Sequence, residues 1–108
     1  MARDILVVDD EADIRLLIAG LLSDEGYSVR EAANADEALA ALADRKPSLA
    51  ILDVWLEGSR LDGLALLEAF KKSAPDTPAV MISGHGTVET AVAAIRAGAY
   101  DFIEKPFK

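Results

Sequence analysis

Three aspartates stand where aliphatic side chains would be expected. Asp9 and Asp10 follow directly on the apolar run "ILVV" (5–8), and Asp53 interrupts "LAILDV" (49–54). Buried charge without compensation is costly, and neighbouring carboxylates raise that cost by repelling one another. Two further polar residues close apolar runs in the same way: Ser83 ends "PAVMIS", and Lys105 follows "YDFIE" just before Pro106. Three convergent carboxylates call for a hard divalent cation. Mg²⁺ suits them, because it takes oxygen ligands in octahedral geometry and keeps positions for water and a phosphate oxygen. A lysine and a hydroxyl add a charge and a donor of the kind phosphoryl oxygens accept. Acid, metal, lysine and hydroxyl together describe phosphoryl chemistry in which one carboxylate is the nucleophile.

That chemistry requires one edge of one scaffold to gather these residues. Short apolar runs alternate with helical patterns along the whole chain. After "ILVV", the residues Ile14, Leu17, Ile18, Leu21 and Leu22 fall on one helix face, with Asp10 expected as N-cap and Gly26 as the stop. "YSVREA" reads as a second strand. Asn34 then caps "ADEALAALAD", with Glu37 in the capping-box position and Pro47 beyond the end. "LAILDV" is the third strand. The loop "WLEGSRLDG" leads to the helix "LALLEAFKK", "PAVMIS" is the fourth strand, and the next helix carries Val88, Ala91, Val92 and Ile95 on one face before Gly98. "YDFIE" is the fifth strand. Strict alternation with continuously apolar strands predicts an open parallel α/β sheet with helices on both faces, whose ligands sit at the carboxyl ends of the strands. Asp9, Asp10, Asp53, Ser83 and Lys105 all fall there. A helix is also expected after the fifth strand, so the end at Lys108 reads as a cut before a last helix. Otherwise an apolar sheet face would stand bare.

Composition narrows the class. With 108 residues, 52% hydrophobic and 28% charged, the chain reads as one globular domain, 1–108. No apolar stretch approaches the roughly 20 residues of a membrane helix. "MARDILVV" lacks the features of a signal peptide. The absence of cysteine removes disulfides and thiolate metal sites, in keeping with a cytoplasmic protein. A net charge of −8 repels phosphate backbones and argues against direct nucleic-acid binding.

The motifs "VVDDE", "ILDV", "LDGLALLE", "VMISGHG" and "GAYDFIEKPF", in this order, make the chain similar to response-regulator receiver domains (CheY-like). The last two resemble receivers of the NtrC/NtrX type, in which the receiver precedes a σ54-activating ATPase domain and a DNA-binding domain. The resemblance implies a flavodoxin-like five-stranded parallel sheet of order 2-1-3-4-5. It implies that Asp53 accepts a phosphoryl group from a sensor histidine kinase and that Asp9, Asp10, Asp53 and the backbone carbonyl of Trp55 hold Mg²⁺. Ser83 and Lys105 would bind the phosphoryl oxygens, and Ser83 and Phe102 would be the switch residues. Tyr100 does not fit the switch spacing. Trp55 and His85 occupy positions that tune hydrolysis of the acyl phosphate. Output would pass to ATPase and DNA-binding domains outside this chain, in transcriptional and nitrogen-related control, with homodimerisation allowed. The 55–63 loop departs from the family pattern by two extra residues.

Plainer readings stand beside these. Asp10 as an N-cap, Ser83 as a strand-end hydroxyl, Lys105 as a solvated lysine, Phe102 as core and His85 as a loop residue each need no function. Asp53 inside "LAILDVW", and Asp9, have no such explanation. Two other functions compete with the switch. A phosphatase with an aspartyl nucleophile, similar to haloacid dehalogenases, needs a second acid where Trp55 stands. A pseudo-receiver would bind a partner without being phosphorylated, and the presence of all five site residues weighs against it.

Overall fold

The computed structural model describes residues 3–54, 63–84 and 88–104. Strands and helices alternate in chain order: β1 (Asp4–Val8), α1 (Ala12–Asp24), β2 (Ser28–Ala32), α2 (Ala35–Asp44), β3 (Leu49–Asp53), α3 (Gly63–Ser73), β4 (Ala79–Ser83), α4 (Val88–Arg96) and β5 (Asp101–Glu104). The strands form one parallel sheet in the order β2-β1-β3-β4-β5, as the resemblance implied. The three continuously aliphatic strands are central. The two with charged residues in mid-strand, "SVREA" and "DFIE", lie at the edges, where polar side chains are tolerated.

Alternation along the central strands sends side chains to opposite faces and builds two cores. Leu6, Val8, Ala50, Leu52 and Met81 pack with Ala38 and Leu42 of α2, Leu66, Leu67 and Phe70 of α3, and Ala94 of α4. Ile5, Val7 and Ile82 pack on the other face against Ile18 of α1. Three helices therefore cover one face and α1 the other. On the α1 side an apolar groove of about 180 Å³ lies between Ile18, Leu21, Leu22, Ile51, Val80, Ile82 and Ile103.

Two helix faces differ from expectation. Only Ile18 of the apolar α1 set is fully buried, while Leu17 and Leu21 stand about half exposed. On α4 the buried residue is Ala94, whereas Val88, Val92 and Ile95 are exposed and line a groove of about 490 Å³ with Ala91, Arg96, Phe102 and Glu104. Periodicity locates an apolar face but does not say what covers it.

Helix ends follow local chemistry closely. α1 stops at a Schellman arrangement in which the Tyr27 amide donates to Leu22 O at 3.1 Å and the Gly26 amide to Ser23 O at 3.0 Å. Gly26 holds φ at +93°, a conformation that side chains with a Cβ resist. At α2, Asn34 Oδ1 accepts the Glu37 amide at 2.9 Å, and Glu37 Oε1 reaches back to the Ala33 amide at 3.0 Å.

Candidate functional site

Register brings the acids together. Val8 pairs with Leu52 across β1 and β3, so Asp9 and Asp53, the next residues along, leave the sheet as neighbours. Asp53 in turn pairs with Ile82 across β3 and β4, which sets Ser83 one residue further along the adjacent strand. The backbone fixes this edge: the Asp9 amide donates to Ala32 O at 3.1 Å, and the Val54 amide to Ile82 O at 2.9 Å. Asp9 and Ser83 are fully buried, Asp53 is 3% exposed, and Asp10 is half-buried. Carboxylate oxygens of Asp9, Asp10, Glu11 and Asp53 all lie within 4.8 Å of one another. Glu11 is the member that sequence reasoning missed, and its position directly after Asp9-Asp10 was the available signal.

The start of α1 corrects one expectation. Glu11, not Asp10, is the N-cap residue, and its side chain makes no cap hydrogen bond. Instead Asp9 Oδ1 accepts the Glu11 amide at 2.8 Å. The aspartate without a structural explanation in the sequence is thus the one tied to the helix start. Arg15, one turn into α1, donates from Nη1 to Asp9 O at 2.7 Å and from Nε to Glu31 Oε1 at 3.3 Å.

The other side of the pocket depends on a close approach. The Gly63 amide donates to Val54 O at 2.8 Å. A Cβ at Gly63 would lie 2.6 Å from Val54 Cα and closer still to the carbonyl oxygen of Asp53. Only glycine lets α3 begin this near the end of β3.

The donor set fits a hard cation: four carboxylates and no nitrogen or sulfur ligand among the described residues. Phe102 pairs with Met81, packs partly against the larger core and faces the groove beside α4. Tyr100, set aside on spacing, is 78% exposed. The backbone carbonyl of Trp55, the side chains of His85 and Lys105, and the 55–62 loop lie outside the described residues. Among the described residues no helix is long and apolar enough to cross a membrane.

Comparison with known proteins agrees with this geometry. The family model described as "Response regulator receiver domain" matches residues 5–108. The chain is 66% identical over 107 residues to the nitrogen assimilation regulatory protein NtrX of Azorhizobium caulinodans, covering 99% of this chain and 24% of that protein. The crystal structure of NtrX from Brucella abortus superposes with a TM-score of 0.95 at 70% identity, over 100% of this chain and 25% of that one. A response regulator from Burkholderia pseudomallei, solved with a phosphorylated aspartic acid, a calcium ion and citrate, gives a TM-score of 0.91 at 31% identity, over 98% of this chain and 61% of that one. The chain thus spans about a quarter of the length of its NtrX-type relatives.

Proposed function

This chain belongs to the response-regulator receiver family, and on that footing we propose that it is a phosphorylation-dependent switch with Asp53 as phosphoacceptor. The observation that carries the proposal is the near-buried Asp53 carboxylate within a four-acid cluster at the carboxyl end of a parallel sheet. An Asp53 carboxylate oxygen attacks the phosphorus of a donor phosphohistidine. A P–O bond forms as the P–N bond breaks, and the electron pair leaves with the imidazole of a sensor histidine kinase. Asp9, Asp10 and Asp53, with the Trp55 carbonyl, would hold Mg²⁺, which supplies charge neutralisation at the phosphoryl oxygens. Lys105 and the Ser83 hydroxyl bind those oxygens. Ser83 moves toward the acyl phosphate, Phe102 turns inward, and the α4–β5 groove changes its preference for partners. Such a bias needs a differential of only a few kcal/mol.

The relatives' length supports an output through further domains, the nitrogen assimilation name of the Azorhizobium relative supports a link to that process, and the resemblance to NtrC/NtrX-type receivers adds σ54-type transcriptional control. The protein's place would be the cytoplasm, and phosphorylation would act on ATPase and DNA-binding domains or on a homodimer. The chain turns over only its own phosphoryl group and is not an enzyme acting on other substrates.

The test is intact mass after incubation with Mg²⁺ and acetyl phosphate. Wild type should gain one phosphoryl group and Asp53→Asn none. An unmodified wild type would indicate a pseudo-receiver, an adduct surviving in Asp53→Asn would place the acceptor elsewhere, and turnover of unrelated phosphomonoesters would indicate a phosphatase. Trp55 stands two residues after the acceptor, a position that in this family tunes hydrolysis of the acyl phosphate, and a large ring there would shield it from water. Trp55→Asn should therefore shorten its lifetime, measured by decay of the adduct; an unchanged lifetime rejects shielding.

A further inference from the structure

We propose that Arg15 is a counter-charge of the carboxylate cluster among the described residues, and that Arg15 and Glu31 act as an opposed pair setting how tightly the cluster takes a divalent cation. This inference rests on the cation reading above.

Arg15 lies in the first turns of α1, where side chains lean back toward the helix N-terminus. That lean carries its guanidinium to the Asp9 backbone oxygen at 2.7 Å. The bond goes to a carbonyl, so a permanent positive charge reaches the edge of the cluster without occupying a carboxylate oxygen. The guanidinium also pairs with Glu31 of β2 at 3.3 Å, with the two side chains 19% and 37% exposed. Four carboxylates within 4.8 Å repel one another when no cation is bound, and the Arg15 charge relieves part of that repulsion. Once a divalent cation is bound, the same charge opposes it. Losing the Arg15 charge therefore destabilises the cation-free protein more than the cation-bound one. Glu31 partly cancels Arg15, so losing the Glu31 charge acts in the reverse sense.

This opposition separates an electrostatic role from a purely structural one. Arg15→Gln and Glu31→Gln break the same ion pair. If the pair merely braced α1 against β2, both variants would shift stability alike and leave cation affinity unchanged or shifted in one common direction.

The experiment is a Mg²⁺ titration by calorimetry at low ionic strength, with thermal unfolding measured with and without Mg²⁺. Arg15→Gln should bind Mg²⁺ roughly threefold to tenfold more tightly, the order of effect of removing one nearby unit charge from a divalent ion's site in a water-like dielectric. Its Mg²⁺-induced rise in melting temperature should exceed that of wild type. Glu31→Gln, at a more exposed position, should bind about twofold more weakly, and it is the second variant that keeps the test open if Arg15→Gln does not fold. Arg15→Lys should stay near wild-type affinity. Affinities that move the same way in the two Gln variants, or in neither, overturn the proposal, as does a Lys variant that behaves like Gln. A wild type that takes up no Mg²⁺ would overturn the cation reading itself and this inference with it.

Discussion

At the scale of single residues, the tightest constraint beside the acids is a missing side chain. Gly63 begins α3 against the last residues of β3, and a Cβ there would meet Val54 Cα at 2.6 Å and the Asp53 carbonyl. Those contacts are backbone, so no rotamer change relieves them. Gly63→Ala should destabilise the domain by about 3 kcal/mol, measured by chemical denaturation, at the upper end of ordinary overpacking. A loss under about 0.5 kcal/mol would mean that α3 can retreat from the site. Sequence exposed Asp53 readily, because a carboxylate inside "LAILDV" has no other explanation. It assigned the helix cap to Asp10, whereas Glu11 is the N-cap residue and the Asp9 carboxylate accepts its amide, which only the turn geometry decides. Arg15 was silent in the sequence for a related reason. Its lean toward the helix start reaches Asp9 O, and its other partner, Glu31, is brought near by β1–β2 pairing rather than by spacing along α1.

Elements were the most legible level, because capping and stop signals act within a few residues. Asn34 caps α2 as its spacing announces, accepting the Glu37 amide, while the Glu37 carboxylate turns back to the amide of Ala33, one residue before the cap. Asn34→Ala should cost about 1 kcal/mol in denaturant unfolding, with helical content otherwise kept. A change below about 0.3 kcal/mol would show that Glu37 alone secures the α2 start. What sequence could not assign was the covering of each apolar face, since that depends on elements distant in the chain. On α4 the apolar stripe at Val88, Val92 and Ile95 faces a groove, while the small residue Ala94 touches the core. Ile95→Gln should then change stability by less than about 1 kcal/mol, and Ala94→Leu should lose 1–3 kcal/mol by overpacking. The reverse ranking in thermal unfolding would mean that α4 packs with the other face inward.

Among the described residues, charged clusters stand at both ends of the sheet. The carboxylate cluster occupies the carboxyl end, and at the opposite end Asp4, at the start of β1, gathers two arginines distant in sequence. Arg30 of β2 donates to it from Nη2 at 2.6 Å and Nε at 3.1 Å, and Arg45, after α2, from Nε at 3.2 Å. Arg30 also donates to Ala41 O and Arg45 O, so one guanidinium ties β1, β2 and the end of α2 together. Burial pushes the Asp4 carboxyl up, but hydrogen bonds from Arg30 and Arg45, with their charges, outweigh it and hold the group below its ordinary value of 3.8. A carboxyl with a depressed folded value binds its proton more readily in the unfolded chain. Its contribution is therefore fully present above about pH 4 and disappears as pH falls through the lower folded value. Arg45 is largely exposed, so solvent screens its share and most of the effect belongs to the Arg30 pair. Asp4→Asn removes the titrating group, and the wild-type advantage in unfolding free energy over this variant should hold steady from about pH 7 to 5 and shrink below about pH 4. Subtracting the two curves cancels the titration of the other acids, the carboxylate cluster included. A difference independent of pH down to about 2 would mean that Asp4 holds the sheet end through packing rather than through its charge.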